Sequence, residues 1–170
     1  FETDYNMETL TAMAKGLRKT VRKKRSRRVH IFAAVVLILG LLTILATVAG
    51  GEPLGASGVV TLLAMLVVIL VSLFEDKLNA WFARKRLLPG TEHAAATFEE
   101  DGYVSATGVT ESRFSYAQIV AVAETARYFV FALSSHHTQA YDKRNIRGGS
   151  VEDFHAFIAE KTGKLVENIK

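Results

Sequence analysis

Two stretches of this chain, Ile31–Ala49 (IFAAVVLILGLLTILATVA) and Ser57–Phe74 (SGVVTLLAMLVVILVSLF), contain no ionisable side chain. At 1.5 Å rise per residue, a helix over the first is about 28 Å long, close to the hydrocarbon thickness of a bilayer. A soluble core is the other home for such helices. The roughly eighty residues that follow are too few to enclose two helices that are apolar all round. Between the stretches, GGEPLGA supplies Gly50, Gly51, Pro53 and Gly55, which break helices and permit a tight reversal. The pattern predicts a two-helix transmembrane hairpin over residues 31–74, with spans at 31–49 and 57–74. A cleaved signal peptide fits poorly, because a second span follows at once.

Charge is distributed around this hairpin in a telling way. Residues 1–30 carry a net +6, residues 31–74 −1, residues 75–90 +2 and residues 91–170 −3. Lys15, Arg18, Lys19, Arg22, Lys23, Lys24, Arg25, Arg27 and Arg28 precede the first span, and Arg84, Lys85 and Arg86 follow the second. The intervening loop has one acid, Glu52, and no base. Lys and Arg stay preferentially on the cytoplasmic side during insertion, so both termini are expected in the cytoplasm. A run such as VRKKRSRRVHIF suggests either nucleic acid or membrane. Its direct junction with a span favours the anionic leaflet, where each base contributes about 1 kcal/mol of attraction, and no nucleic-acid partner is expected.

The spans hold no acid, base or helix break, so proton relays and ion transport are not expected of them. Small residues line up along them: Ala33, Gly40 and Thr47 on the first, Ser57, Thr61, Ala64 and Ser72 on the second. Such stripes allow close helix packing, first within the hairpin and second in a homodimer. In residues 1–30, Leu10, Met13, Ala14, Leu17 and Val21 recur at three- and four-residue spacing after a potential cap at Asn6. This basic amphipathic helix either lies on the membrane or packs on the later domain. Residues 75–90 (EDKLNAWFARKRLLPG) continue in helix, with Trp81 and Phe82 at expected headgroup depth.

From residue 91 the period changes from helical to two. AAATFEEDGYVSATG sets Asp101-Gly102 between two strand-like runs, a hairpin signal. ESRFSY, AQIVAVAE, RYFVFALSS and TQAYDKR read as further strands. GGSVEDFHAFIAEKTG reads as a helix capped by Ser150 and Asp153, stopped at Gly163, with Val151, Phe154, Phe157 and Ile158 on one face. The expected architecture over 91–170 is a small α+β domain: a curved antiparallel sheet or barrel capped by a C-terminal helix.

With these features in place, the chain resembles the YcxB-like bacterial membrane proteins. TDYN near the start, the apolar hairpin, FEEDGY (98–103), YAQI (116–119), Glu124, YFVFAL (128–133), YDKRNI and VEDFHAFIAEK carry the resemblance. It implies a pleckstrin-homology-like (PH-like) cytoplasmic domain and a multi-pass protein of the bacterial plasma membrane. It also implies a short strand before the first helix, of which FET would be the remnant, and a first residue of Phe predicts a natural start further upstream.

Phosphoinositide binding by such a domain needs clustered Lys and Arg at the mouth of the first hairpin. Glu99, Glu100 and Asp101 stand there instead, with the wrong sign. That acidic hairpin, and the turn carrying Lys143, Arg144 and Arg147, are the candidate partner surfaces. His136 and His137 are adjacent in an expected turn, which is not a chelating spacing, and His93 and His155 stand alone. No cysteine is present, which removes disulfides and thiol chemistry. No nucleophile elbow or phosphate loop occurs, so no catalytic, cofactor-binding or metal site is expected. An enzyme built on Asp142 and His136 is a minor alternative. The function expected is non-enzymatic: a membrane-anchored scaffold that presents its domain to an unidentified protein partner, with membrane lipids the other contact. An immunity or protective protein against a membrane-active toxin is the alternative.

Overall fold

The structure is a computed structural model that describes residues 1–169. It contains β1 (Glu2–Asp4), α1 (Met7–Lys19), α2 (Lys23–Ala49), α3 (Ala56–Leu73), α4 (Glu75–Lys85), β2 (His93–Phe98), β3 (Gly102–Thr107), β4 (Glu111–Ser115), β5 (Ala121–Glu124), β6 (Tyr128–Ala132), β7 (Thr138–Asp142), α5 (Val151–Thr162) and β8 (Val166–Asn168). The chain divides into two units. One is Lys24–Glu75, the other Phe1–Lys23 together with the chain from Asp76 onward.

The first unit is a pair of apolar helices long enough to cross a membrane. Its side chains point outward: Phe32, Leu39, Leu42, Val60, Leu63 and Val67 are all more than half exposed. The two helices meet where the sequence is smallest. A Cβ on Gly40 would fall 2.8 Å from Met65 Sδ and 3.6 Å from Thr61 Cγ2. Hairpin self-packing is therefore the use the small stripe finds here.

The second unit contains two four-stranded sheets, ordered β1-β2-β3-β4 and β7-β6-β5-β8. All pairings are antiparallel except β5 with β8. Tyr103, Phe129, Phe131, Tyr141, Phe154 and Ile158 fill a shared core that α5 closes. The caps of α5 are as expected. Ser150 and Asp153 form a reciprocal capping box, and Gly163 takes the left-handed conformation at φ 62°.

β6 explains why α1 packs on the domain. Alternation sends Phe129 and Phe131 to the inner core and leaves Tyr128 and Val130 on the opposite face. All five residues of β6 are buried, because α1 covers that second face. Leu10, Ala12, Gly16 and Leu17 are buried, and Asn6 Oδ1 accepts from the amides of Glu8 and Thr9 at the helix start. Of the two placements left open by the sequence, packing on the domain is the one observed. The helix also ends earlier than the apolar spacing suggested. Thr20 and Arg22 amides close it onto Gly16 and Leu17 carbonyls, and Val21 is exposed. The basic run from Lys23 onward forms the first turns of α2 rather than the end of α1.

Gly16 sets how closely α1 approaches: a Cβ there would lie 2.6 Å from Val130 Cγ1. Gly16→Leu should therefore lift α1 from β6 and cost about 1–3 kcal/mol, the usual range for overpacking. Hydrogen exchange checks this: α1 amides lose protection in Gly16→Leu and keep it in Lys19→Leu, whose site is exposed.

Two details differ from the sequence reading. The β2–β3 hairpin forms, but Gly102 opens β3 rather than supplying a left-handed turn residue. It must be glycine because a Cβ would meet the Phe114 carbonyl oxygen at 2.3 Å. β8 was not anticipated. Its three residues add to the edge of β5 and seat Ile169 in the layer beneath α1.

Candidate interaction surfaces

The residues expected at a membrane surface fall into two groups. Arg18 is drawn into structure: its Nε and Nη2 donate to the two carboxylate oxygens of Asp76 at 2.7 and 2.6 Å, joining α1 to the foot of α4. Arg22 Nε donates to the Ser135 carbonyl at 2.6 Å, fixing the end of that segment to the β6–β7 turn. Lys19, Lys23, Lys24, Arg25, Arg27, Arg28, Arg84, Lys85 and Arg86 are exposed, and Lys15 is half-buried. On α4, Ala80 faces the domain interior while Trp81 and Phe82 face out, edge to face at 4.9 Å. Lys85 Nζ sits 3.6 Å over the Trp81 ring, a cation–π contact that keeps aromatic and charge together.

The acidic hairpin is exposed at Glu99, Glu100 and Asp101. Its base is rigid: Tyr116 Oη donates to the Glu99 carbonyl at 2.5 Å, and the Glu99 amide donates to the Gly102 carbonyl. Burial, then the charges of Glu99 and Asp101, push the Tyr116 hydroxyl up to about 12, so it stays a donor at neutral pH. Arg113 lies 3.4 Å from Glu99 and Lys161 3.8 Å from Glu100. These solvated pairs neutralise little, and the tip remains acidic.

The basic turn is less available than its sequence suggests. Lys143 turns inward, pairs with Glu124 and donates to the Thr125 carbonyl at 2.7 Å. Its side chain is 12% exposed, so it is an internal strut rather than a contact residue. Arg144 and Arg147 do reach solvent, yet each has an acid: Asp142 at 3.0 Å and Glu2 at 3.1 Å. Asp142 is the hub. Arg127 donates two bonds to it at 2.9 and 2.8 Å and extends a third to Glu8 of α1. Beside Arg147, an open groove of about 540 Å³ lies between β2 and the start of α5, with Phe98 and Phe154 in its lining.

His136 and His137 are exposed in the β6–β7 turn, where His136 Nδ1 lies 2.8 Å from Ser135 Oγ. Among the described residues no three His, Asp or Glu side chains are grouped to hold a metal. Sequence reasoning did not name Arg127, and it named Glu124 only within the family resemblance; these are the partners that anchor Asp142 and Lys143. A lone arginine in a turn carries no spacing signal.

The stretch from the acidic hairpin through the Asp142 hub to α5 is also where the comparisons with known proteins fall. Residues 98–158 match the family model of YcxB-like proteins. The resemblance read from FEEDGY, YFVFAL and VEDFHAFIAEK is thus supported over residues 98–158, which hold the first two motifs and the third as far as Ile158. The YcxB-like stretch begins at the end of β2 and runs into α5, and it includes β3 to β7. Comparison with curated proteins and with solved structures gives no match.

Proposed function

We propose that the chain is a membrane-anchored, non-enzymatic binding protein. Its helical hairpin crosses the plasma membrane twice and holds a PH-like YcxB domain at the cytoplasmic leaflet, where the domain engages a protein partner. The observation that carries this reading is the make-up of the second unit. Residues on both sides of the hairpin build one folded body: β1 pairs with β2, and α1 packs on β6. Segments of one body lie on one side of a membrane, so the chain between them crosses an even number of times. The cationic flanks and base-free loop support the cytoplasm as that side.

The bare helices support the same reading. Within the most apolar window of each, 0% and 6% is buried, whereas the core helix of a soluble protein is mostly covered. An exposed apolar area of this extent calls for lipid or protein around it. Cleavage of α2 as a signal sequence would discard β1 and α1, which are parts of the domain. The two sheets and closing helix fit a PH-like reading, while the acidic hairpin turns that domain toward a basic protein surface rather than an anionic headgroup. Tethering confines partner and domain to one surface, so a weak contact suffices.

Two measurements test the proposal. Reporter fusions at each end should both report the cytoplasm, and charge reversal across Lys23–Arg28 should scramble that orientation; an external reporter signal from the unaltered chain overturns the topology. Cross-linking of the membrane-embedded full chain should yield a protein adduct that is lost in Glu99→Gln/Glu100→Gln/Asp101→Asn. An identical adduct pattern in the triple variant removes the acidic hairpin as the partner surface.

A further inference from the structure

We propose that the β3–β4 turn is a second membrane contact, laying Val109 into the headgroup boundary beside Leu88 and the aromatic face of α4. This rests on the membrane-tether reading above. Val109 and Leu88 are 57% and 68% exposed, high values for apolar side chains in a unit with a well-filled core. They belong to one structural feature. The Gly108 amide donates to the Gly90 carbonyl at 2.9 Å, which fastens the turn to the chain leaving α4. Gly90 has φ +84°, and a Cβ there would press on Val109 Cγ1 at 2.8 Å. The Val109 side chain is therefore seated against the Pro89-Gly90 bend and directed outward with it. The acid nearest this bend, Glu92, is occupied: its Oε2 accepts from the Gly90 amide at 2.7 Å.

The helix that leads into this bend, α4, is also exposed at Leu78, Trp81 and Phe82, at 37%, 44% and 52%. Lys85 lies over the Trp81 ring, and Arg84 and Arg86 adjoin it in sequence and are exposed. Apolar tips with interleaved cations match an anionic bilayer surface, which takes the tips below its phosphates and pairs the bases with them. Continuity selects lipid over protein as the occupant: α4 starts one residue after the apolar helix α3 ends. Elsewhere in this unit, the strongly exposed apolar residues Val120 and Leu165 stand in separate loops.

The sheet then fixes what faces away. β3 runs from the acidic hairpin at Gly102 to the β3–β4 turn at Thr107, so Glu99–Asp101 lie at its far end. Six strand residues at about 3.3 Å each put roughly 20 Å between the two. An acidic tip would be repelled by the leaflet, and this orientation carries it out toward the cytoplasm.

The chain has a single tryptophan and no cysteine, which supplies two independent probes. Full-length Val109→Cys, labelled with an environment-sensitive fluorophore, is reconstituted in phosphatidylcholine vesicles containing phosphatidylglycerol and brominated acyl chains. Glu100→Cys serves as the distal control. The expected result is loss of Val109-site emission about as strong as that of Trp81, with the Glu100 site quenched by aqueous iodide alone. If Trp81 is quenched by bromine while the Val109 label responds only to iodide, the inference is overturned and the tether reading stands. If neither responds to bromine, the tether reading fails and the inference falls with it.

Discussion

Leu39→Lys and Leu63→Lys, made together, should release the chain from the membrane fraction. Both side chains lie near the middle of their helices and are 58% and 57% exposed, so neither charge would be shielded by the partner helix. A Lys at the centre of a membrane helix costs about 2.5–3.5 kcal/mol on insertion scales, so the pair opposes insertion by about 6 kcal/mol. Alkaline extraction of membranes is the measurement: the unaltered chain sediments with lipid, and the double variant appears in the supernatant or is degraded. Thr43→Ser, on the same helix, should change nothing. Recovery of the unaltered chain in a salt-washed aqueous extract would remove the hairpin reading entirely.

The second large effect belongs to Asp142. Its side chain is 5% exposed and receives Arg127 and Arg144, while its own backbone amide donates to Thr3 Oγ1 at 3.1 Å. Asp142→Ala removes the acid that two guanidinium groups share and leaves Arg127, only 26% exposed, with Glu8 alone. Removing one member of a buried pair costs about 3–5 kcal/mol, and partial solvation of the arginines sets the lower end here. A loss of about 3 kcal/mol lowers the unfolding temperature of a unit this size by roughly 10 °C, read in detergent by thermal unfolding. Asp142→Asn keeps the bond from the Arg144 amide and should lie between the two. Because Arg127 also pairs with Glu8, the Ala variant should additionally raise hydrogen exchange in α1.

Much of this organisation was legible in the residues because local rules wrote it. The uncharged runs, the Ser150–Asp153 cap, the Gly163 stop and the strand alternation of residues 128–132 each reflect a constraint that acts within a few residues. The FEEDGY and YFVFAL signals, and VEDFHAFI of the last one, lie inside the YcxB-like stretch. What escaped depends on partners distant in sequence. Lys143 reads as a surface base until Glu124 is seen opposite it. Gly102 reads as a turn glycine until the Phe114 carbonyl is placed against it. Leu10 and Leu17 fit a lipid-facing stripe as well as they fit a groove over Val130. β8 lacks any signal of its own: VEN is too short and polar, and it becomes a strand because β5 offers an edge.

The interrupted build of the domain bears on how the protein is made. Its first strand and helix leave the ribosome before the apolar pair, and the sheets that receive them follow after it. Until translation reaches β6, Leu10 and Leu17 have no surface to bury against, so the front segment cannot complete its fold ahead of the apolar pair. Under the proposed topology, closure of the domain depends on both ends of the chain reaching the same side. On that topology, a molecule whose front end was inserted on the opposite side would keep an uncovered β6 and a β2 edge without β1.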